Sequence, residues 1–197
     1  MNIVIIKYNA GNIFSVDCAL RRLGIHAEIT GDHRKIQAAD KVIFPGVGEA
    51  FTTMHYLHEH GLDTLIRELR QPVLGICIGL QLMCSRSEEG NATCLNIFEE
   101  EVVRFQAQQG IKVPHMGWNS LQNMTTPLFE GLPANPYVYF VHSYRASTGA
   151  HTIATSDYPA PFSAALQRDN FYAVQFHPEK SGETGAQILK NFIEKIK

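Results

Sequence analysis

Residues 73–81 read VLGICIGLQ: a short apolar run that reads as a buried strand, a cysteine framed by Gly75 and Gly79, and then the start of a helix in IGLQLM. Cys77 therefore falls in the turn between a strand and a helix, the layout of a nucleophile elbow. A chain that bends sharply there strains the nucleophile's backbone and crowds its neighbours, and residues without a Cβ pack against such a bend most easily. The same geometry sets the sulfur near the positive end of a helix, which favours thiolate over thiol. The competing reading is a small buried hydrophobe, as most free cysteines are. The flanking glycines count against it, because a packing cysteine needs neither. Cys18, Cys84 and Cys94 have no such frame and read as packing residues.

Upstream of that stretch, NIVIIK, FSVDCALRRLG, HAEIT, KVIF and EAFTTMHYLHEHGLDTLIREL alternate short β-rich runs with longer periodic ones. That is the βαβα pattern of a parallel sheet. Val16, Leu20 and Leu23 recur at i, i+4 and i+7 to form one apolar stripe, and Gly24 is placed to end that helix. Downstream, EVVRF, YVYFVHSYR, HTIATSD, SAALQR and FYAVQF follow one another with turns between, which predicts antiparallel strands. ETGAQILKNFIEKIK sets Ile188, Leu189, Phe192, Ile193 and Ile196 on one face and reads as a closing amphipathic helix. The expectation is an α/β fold with a mixed central sheet and helices on both faces, formed as one domain over residues 1–197.

The composition of the 197 residues, 45% hydrophobic and 18% charged, is that of a globular protein with an ample core. Seventeen basic against nineteen acidic side chains, with no Lys/Arg block, argue against a nucleic-acid backbone as partner. The longest apolar stretches, residues 3–6 and 73–80, fall far short of the roughly 20 residues a membrane helix needs. The start MNIVIIKYNAGN has no basic leader or cleavage site and reads as a first strand, so a cytoplasmic location is expected. Four cysteines without regular spacing or a CxxC pair suggest neither a disulfide framework nor a zinc site.

In an open α/β sheet, ligands bind beyond the carboxyl ends of the parallel strands. A cysteine nucleophile there needs a base, and the base needs an orienting group. Among nine histidines, His177 in QFHPEKS is the best placed: it ends a strand, precedes a proline that favours extended backbone, and has Glu179 two residues on. In extended chain those two side chains point to the same side, so Glu179 could orient the ring and stabilise the imidazolium. A solvated surface pair is the alternative. His115 and His142 have no carboxylate close in sequence and are ranked as lining residues, and His55, His58 and His60 fit the polar face of a helix better than a metal site. PGVG at 45–48 follows the strand KVIF and precedes a helix, so its amides are candidates for an oxyanion hole, with a plain turn as the alternative.

Taken together, the G-x-C-x-G elbow, the later QFHPEKS and the upstream PGVG resemble the class I glutamine amidotransferases over essentially the whole chain. The resemblance implies their three-layer fold, and it implies Cys77 as nucleophile, His177 as base and Glu179 as orienting acid. By the same resemblance, backbone amides at Val47, Gly48 and Ile78 look like the oxyanion hole, and Gln81, Ser143 and Tyr144 look like glutamine-binding residues. YNAGN, KVPHMGWN and YFVHSY are most similar to the branch of glutaminases that serve a separate, imidazole-forming TIM-barrel cyclase. Glutamine hydrolysis to glutamate and ammonia, with that cyclase subunit as heterodimer partner, is what the branch implies. It requires no cofactor and no metal. Loops around Tyr8 to Asn12, residues 115–119 and Lys180 are then the expected docking surface, with Asn12, Trp118 and Lys180 as interface residues. Asn9 stands where the branch usually has glycine, and asparagine tolerates left-handed backbone. Two other readings are a glutaminase of the pyridoxal phosphate synthase type and a Cys-elbow binding or redox-sensing module without amidase activity.

Overall fold

In a computed structural model of the chain, residues 1–8, 12–108 and 110–197 are described. Asn9 lies outside them. The strands are β1 (Ile3–Ile6), β2 (Ala27–Thr30), β3 (Lys41–Phe44), β4 (Val73–Ile76), β5 (Arg86–Ser87), β6 (Ala92–Thr93), β7 (Glu101–Arg104), β8 (His115–Ser120), β9 (Tyr137–His142), β10 (Tyr144–Ala146), β11 (Thr152–Asp157), β12 (Pro161–Arg168) and β13 (Phe171–Val174). The helices are α1 (Ile13–Arg22), α2 (His33–Gln37), α3 (Ala50–Glu59), α4 (Leu62–Glu68), α5 (Ile78–Met83) and α6 (Gly182–Glu194).

One mixed sheet runs β2-β1-β3-β4-β13-β12-β10-β7-β5-β6, with β11 added beside β12. Its first five strands are parallel, and β12 and β10 continue it antiparallel. Strands β8 and β9 form a separate antiparallel ribbon.

Side chains alternate across the parallel strands, so each strand feeds two cores. Val4, Ile6, Val42, Phe44 and Val73 pack with Ile36, Leu57, Leu65 and Ile66 of α2, α3 and α4 on one face. Ile3, Ile5, Ile43, Leu74 and Ile76 pack with Val16 and Leu20 of α1 and Ile188, Leu189 and Phe192 of α6 on the other. The result is the three-layer arrangement that the alternating runs predicted. Gly24 closes α1 at φ +74°, its N–H donating to the Arg21 carbonyl.

Three expectations change. The periodic stretch 49–69 is two helices, because Gly61 takes φ +64° between α3 and α4 and the chain turns there. FYAVQF is antiparallel to β12 but parallel to β4, so the last strand belongs to the parallel half of the sheet. Residues 115–119 are strand β8 rather than a loop.

Candidate active site

The sheet order explains why residues far apart in sequence meet. Strands β3, β4 and β13 lie side by side and parallel, with Val174 level with Ile76 and Phe44 level with Gly75. Their carboxyl ends therefore release PGVG, Cys77 and QFHPE at one edge of the sheet, the edge where such sheets bind ligands.

Cys77 sits at φ 56° and ψ −107°, a conformation that non-glycine residues rarely adopt. It persists because its surroundings fix it. The Cys77 N–H donates to the Val174 carbonyl at 2.8 Å, and its own carbonyl accepts from the amides of Leu80 and Gln81 in the first turn of α5. A Cβ on Gly79 would collide with the Phe44 carbonyl, and one on Gly75 would lie 3.0 Å from the backbone of Gly79. The two glycines thus let α5 close onto β3 and β4.

His177 is fully buried and held from both sides. Its backbone N–H donates to the Tyr139 carbonyl at 2.9 Å, and its carbonyl accepts from the Ser181 hydroxyl, which in turn accepts from Tyr139 N–H at 3.0 Å. On the ring, Nδ1 donates to Glu179 Oε1 at 2.8 Å. Nε2 is buried and makes no hydrogen bond of good geometry. Burial alone would lower the pKa of this ring, but the Cys77 sulfur and the Glu179 carboxylate act on it more strongly and raise it to about 10. Asn12 Nδ2 donates to Glu179 Oε1 at 3.1 Å, so that oxygen accepts two bonds.

A cavity of about 310 Å³ opens beside Cys77, bordered by Val47, Gly48, Ile78, Gln81, Glu89 and the run His142, Ser143 and Tyr144. Gly48 has φ +137°, a conformation that glycine adopts freely and other residues avoid, so the peptide orientation in PGVG depends on it. Ile78, as first residue of α5, has an amide with no partner inside the helix. The Tyr8 hydroxyl donates to the Pro45 carbonyl and braces the start of the loop. Glu49 caps α3 by accepting from the amides of Phe51 and Thr52, and Glu89 accepts from Ala50 N–H at 2.8 Å. A nucleophile, an oriented base and free amides around a cavity of this size can carry out acyl transfer on a small amide.

The expected catalytic, oxyanion and substrate residues all fall at this one edge. The expected interface residues divide. Asn12 is 6% exposed and bonded to Glu179, so its side chain serves the interior of the site. Trp118 is 55% exposed on the outer face of the β8–β9 ribbon and so is no part of the core. Lys180 is exposed in the turn after His177, its N–H donating to the His177 carbonyl. Gln175 was not foreseen, yet its Nε2 lies 3.8 Å from Cys77 Sγ and its Oε1 accepts from Gln81. Its position two residues before His177, on the same side of extended chain, was the available signal. Glu89 carried none, since only the packing of its loop on α3 brings it to the cavity. Among the described residues, no group of His, Cys, Asp or Glu side chains could hold a metal ion, and no helix is long and apolar enough to cross a membrane.

The family model for "Glutamine amidotransferase class-I" matches residues 5–196. The chain belongs to the class I glutamine amidotransferases. Within that family it is 60% identical over 98% of its length to all of a protein from Bacteroides fragilis named imidazole glycerol phosphate synthase subunit HisH. It is 49% identical to the protein of that name from Haemophilus influenzae, over the full chain and 98% of the relative. Solved structures share the fold at lower identity. A glutamine amidotransferase matches with a TM-score of 0.75 at 20% identity, covering 97% of each chain. The structure of PurLQS from Thermotoga maritima matches with a TM-score of 0.74 at 14% identity, covering 100% of this chain and 99% of that one.

Proposed function

We propose that this class I amidotransferase is the glutaminase subunit of an imidazole glycerol phosphate synthase, with Cys77, His177 and Glu179 hydrolysing glutamine to glutamate and ammonia. The observation that carries the reading is Cys77 in its strained elbow, at a cavity, against a buried histidine whose far nitrogen is tied to Glu179 at 2.8 Å. A binding or sensing thiol needs no such buried base. Full-length relatives at 60% and 49% identity bear the synthase name, which supports that branch over a pyridoxal phosphate synthase glutaminase.

The reaction follows from the positions. His177 holds the proton drawn from the thiol as an imidazolium, and the Cys77 thiolate attacks the carboxamide carbon. The carbonyl oxygen becomes an oxyanion facing the amides of Val47, Gly48 and Ile78, where each donor is worth on the order of a hundred- to a thousandfold in rate. As the C–N bond breaks, His177 returns the proton to the leaving nitrogen and ammonia departs, leaving a thioester. Water then attacks the thioester, His177 accepting its proton, and glutamate leaves as the Cys77 thiolate reforms beside the imidazolium. Glu179 stabilises the imidazolium throughout, with Asn12 holding the carboxylate. Gln81, Ser143 and Tyr144 border the space the substrate fills.

Ammonia is the only product the chain exports for synthesis, so the acceptor chemistry falls to a separate TIM-barrel cyclase subunit in a heterodimer. A cytoplasmic location fits a site that depends on a reduced thiol. The test is ammonia release from glutamine with and without that barrel subunit and its ligand. The reading requires glutamine hydrolysis that rises when the partner is added; a purified pair that leaves glutamine intact would refute it.

A further inference from the structure

His115 and His142 are two buried histidines that the chemistry above does not use. His142 Nδ1 lies 2.7 Å from the Tyr144 carbonyl. A carbonyl only accepts, so Nδ1 carries the proton and Nε2 of the neutral ring must accept. His115 Nδ1 lies 3.0 Å from that Nε2 and is therefore its donor. His115 Nε2 in turn accepts from Asn119 Nδ2 at 3.4 Å. The Asn119 amide is itself fixed, because Nδ2 also donates to the Asp157 carbonyl at 2.9 Å and Oδ1 accepts from Ser120 N–H at 2.8 Å. Every nitrogen along the path has one consistent role.

The rings have no freedom to turn. His115 is stacked on Tyr158 with centroids 4.0 Å apart, and Phe105 meets His142 edge-on at 5.1 Å. Burial lowers the pKa of His115 to about 4 and that of His142 to about 3, so both stay neutral at working pH. A charged His142 would also face the charges of His177 and Arg145.

At the other end, the Tyr144 carbonyl accepts a second bond, from Gln81 Nε2 at 3.0 Å. Gln81 Nε2 also donates to Gln175 Oε1 at 3.0 Å, and Gln175 reaches the Cys77 sulfur. The carbonyl that borders the cavity is thus held by two donors, one from α5 and one from His142.

We propose that His142 is a positioning residue for glutamine: its Nδ1–H, backed by His115 at Nε2, holds the Ser143–Tyr144 backbone against Gln81 and so sets the affinity for substrate. The inference rests on the glutaminase reading. Loss of that bond should weaken glutamine binding while leaving Cys77 and His177 able to react.

Steady-state glutamine hydrolysis by the complex with its cyclase subunit tests it, using His142→Phe, His142→Asn and His115→Phe. Phenylalanine keeps the ring shape and removes the donor. Asparagine places an amide nitrogen close to the position of Nδ1 and restores it. The expected result for His142→Phe is a KM for glutamine raised about tenfold, the size of one lost hydrogen bond, with kcat within about threefold of the parent. His142→Asn should recover most of that affinity, and His115→Phe should raise KM by less than His142→Phe. Equal KM values for the asparagine and phenylalanine variants, or a loss confined to kcat, would overturn the proposal. Should His142→Phe fail to fold, the asparagine and His115→Phe variants decide: near-parental KM for the first with a raised KM for the second supports it, and unchanged KM for both overturns it. Failure of the glutaminase reading looks different, since the unmodified complex would then neither hydrolyse glutamine nor take a glutamine-like electrophile on Cys77.

Discussion

Cys77 and His177 are separated by most of the sheet in sequence and brought together by one register, Ile76 level with Val174. On the proposed mechanism, replacing Cys77 by alanine removes the bond-forming atom and should lower glutamine turnover by at least about 10⁴-fold, measured as ammonia release. Glu179→Gln keeps the shape and removes the charge. Because Glu179 is one of the groups that raise His177 to about 10, kcat should fall by on the order of a hundredfold. The sign of the accompanying pH effect is fixed. His177 is raised above its ordinary value, so its pairing contributes stability fully below about pH 6.5 and loses it as pH climbs through about 10. The melting-temperature gap between parent and Glu179→Gln should therefore be widest near pH 6 and narrow towards pH 10; a gap that widens with pH contradicts this account. Much at this scale was legible, because the elbow and the His-Pro-Glu motif are each local. Gln175 had only its place two residues before His177 as a signal, and Glu89 and the His115–His142 pair had none, because their partners lie tens of residues away.

The elbow as an element depends on close approach. Gly79→Ala forces a methyl group into the Phe44 carbonyl, which is backbone and cannot swing aside. An overpacked position of this kind costs about 1–3 kcal/mol, visible as a lower melting temperature, and moves Cys77 with α5. A variant with parental melting and parental activity would show that α5 tolerates more space than the geometry allows. Strand and helix existence could be read from composition and period, as with the apolar run of β1 or Val16 and Leu20 of α1. Pairing could not. β13 looks like its antiparallel neighbours, and only the fold reveals that β4 lies on its other side. The strand β8 was hidden in KVPHMGWN, expected from the family resemblance to be part of a docking loop, while its partner β9 supplies the hydrogen bonds that make it extended.

At the scale of the molecule, the β8–β9 ribbon turns His115 and His142 inward and leaves Met116, Trp118 and Tyr137 more than half exposed. Apolar side chains gathered on one face in this way mark a contact surface. On the heterodimer reading, Trp118→Ala should weaken binding to the cyclase subunit by about 2 kcal/mol or more, roughly 30-fold in Kd, with little change in the melting of the isolated chain. Unchanged affinity by titration calorimetry would place the interface elsewhere. The three-layer architecture was legible because helices and strands alternate so regularly, whereas which side of the ribbon is exposed emerged only once its two strands were paired. The most direct test of the central claim is glutamine-derived ammonia release by the chain paired with its cyclase subunit, comparing the parent with Cys77→Ala while cyclase product is followed with added ammonium. The account predicts that Cys77→Ala abolishes glutamine hydrolysis and leaves ammonium-dependent synthesis intact. Substantial glutamine hydrolysis by the Cys77→Ala complex would contradict it.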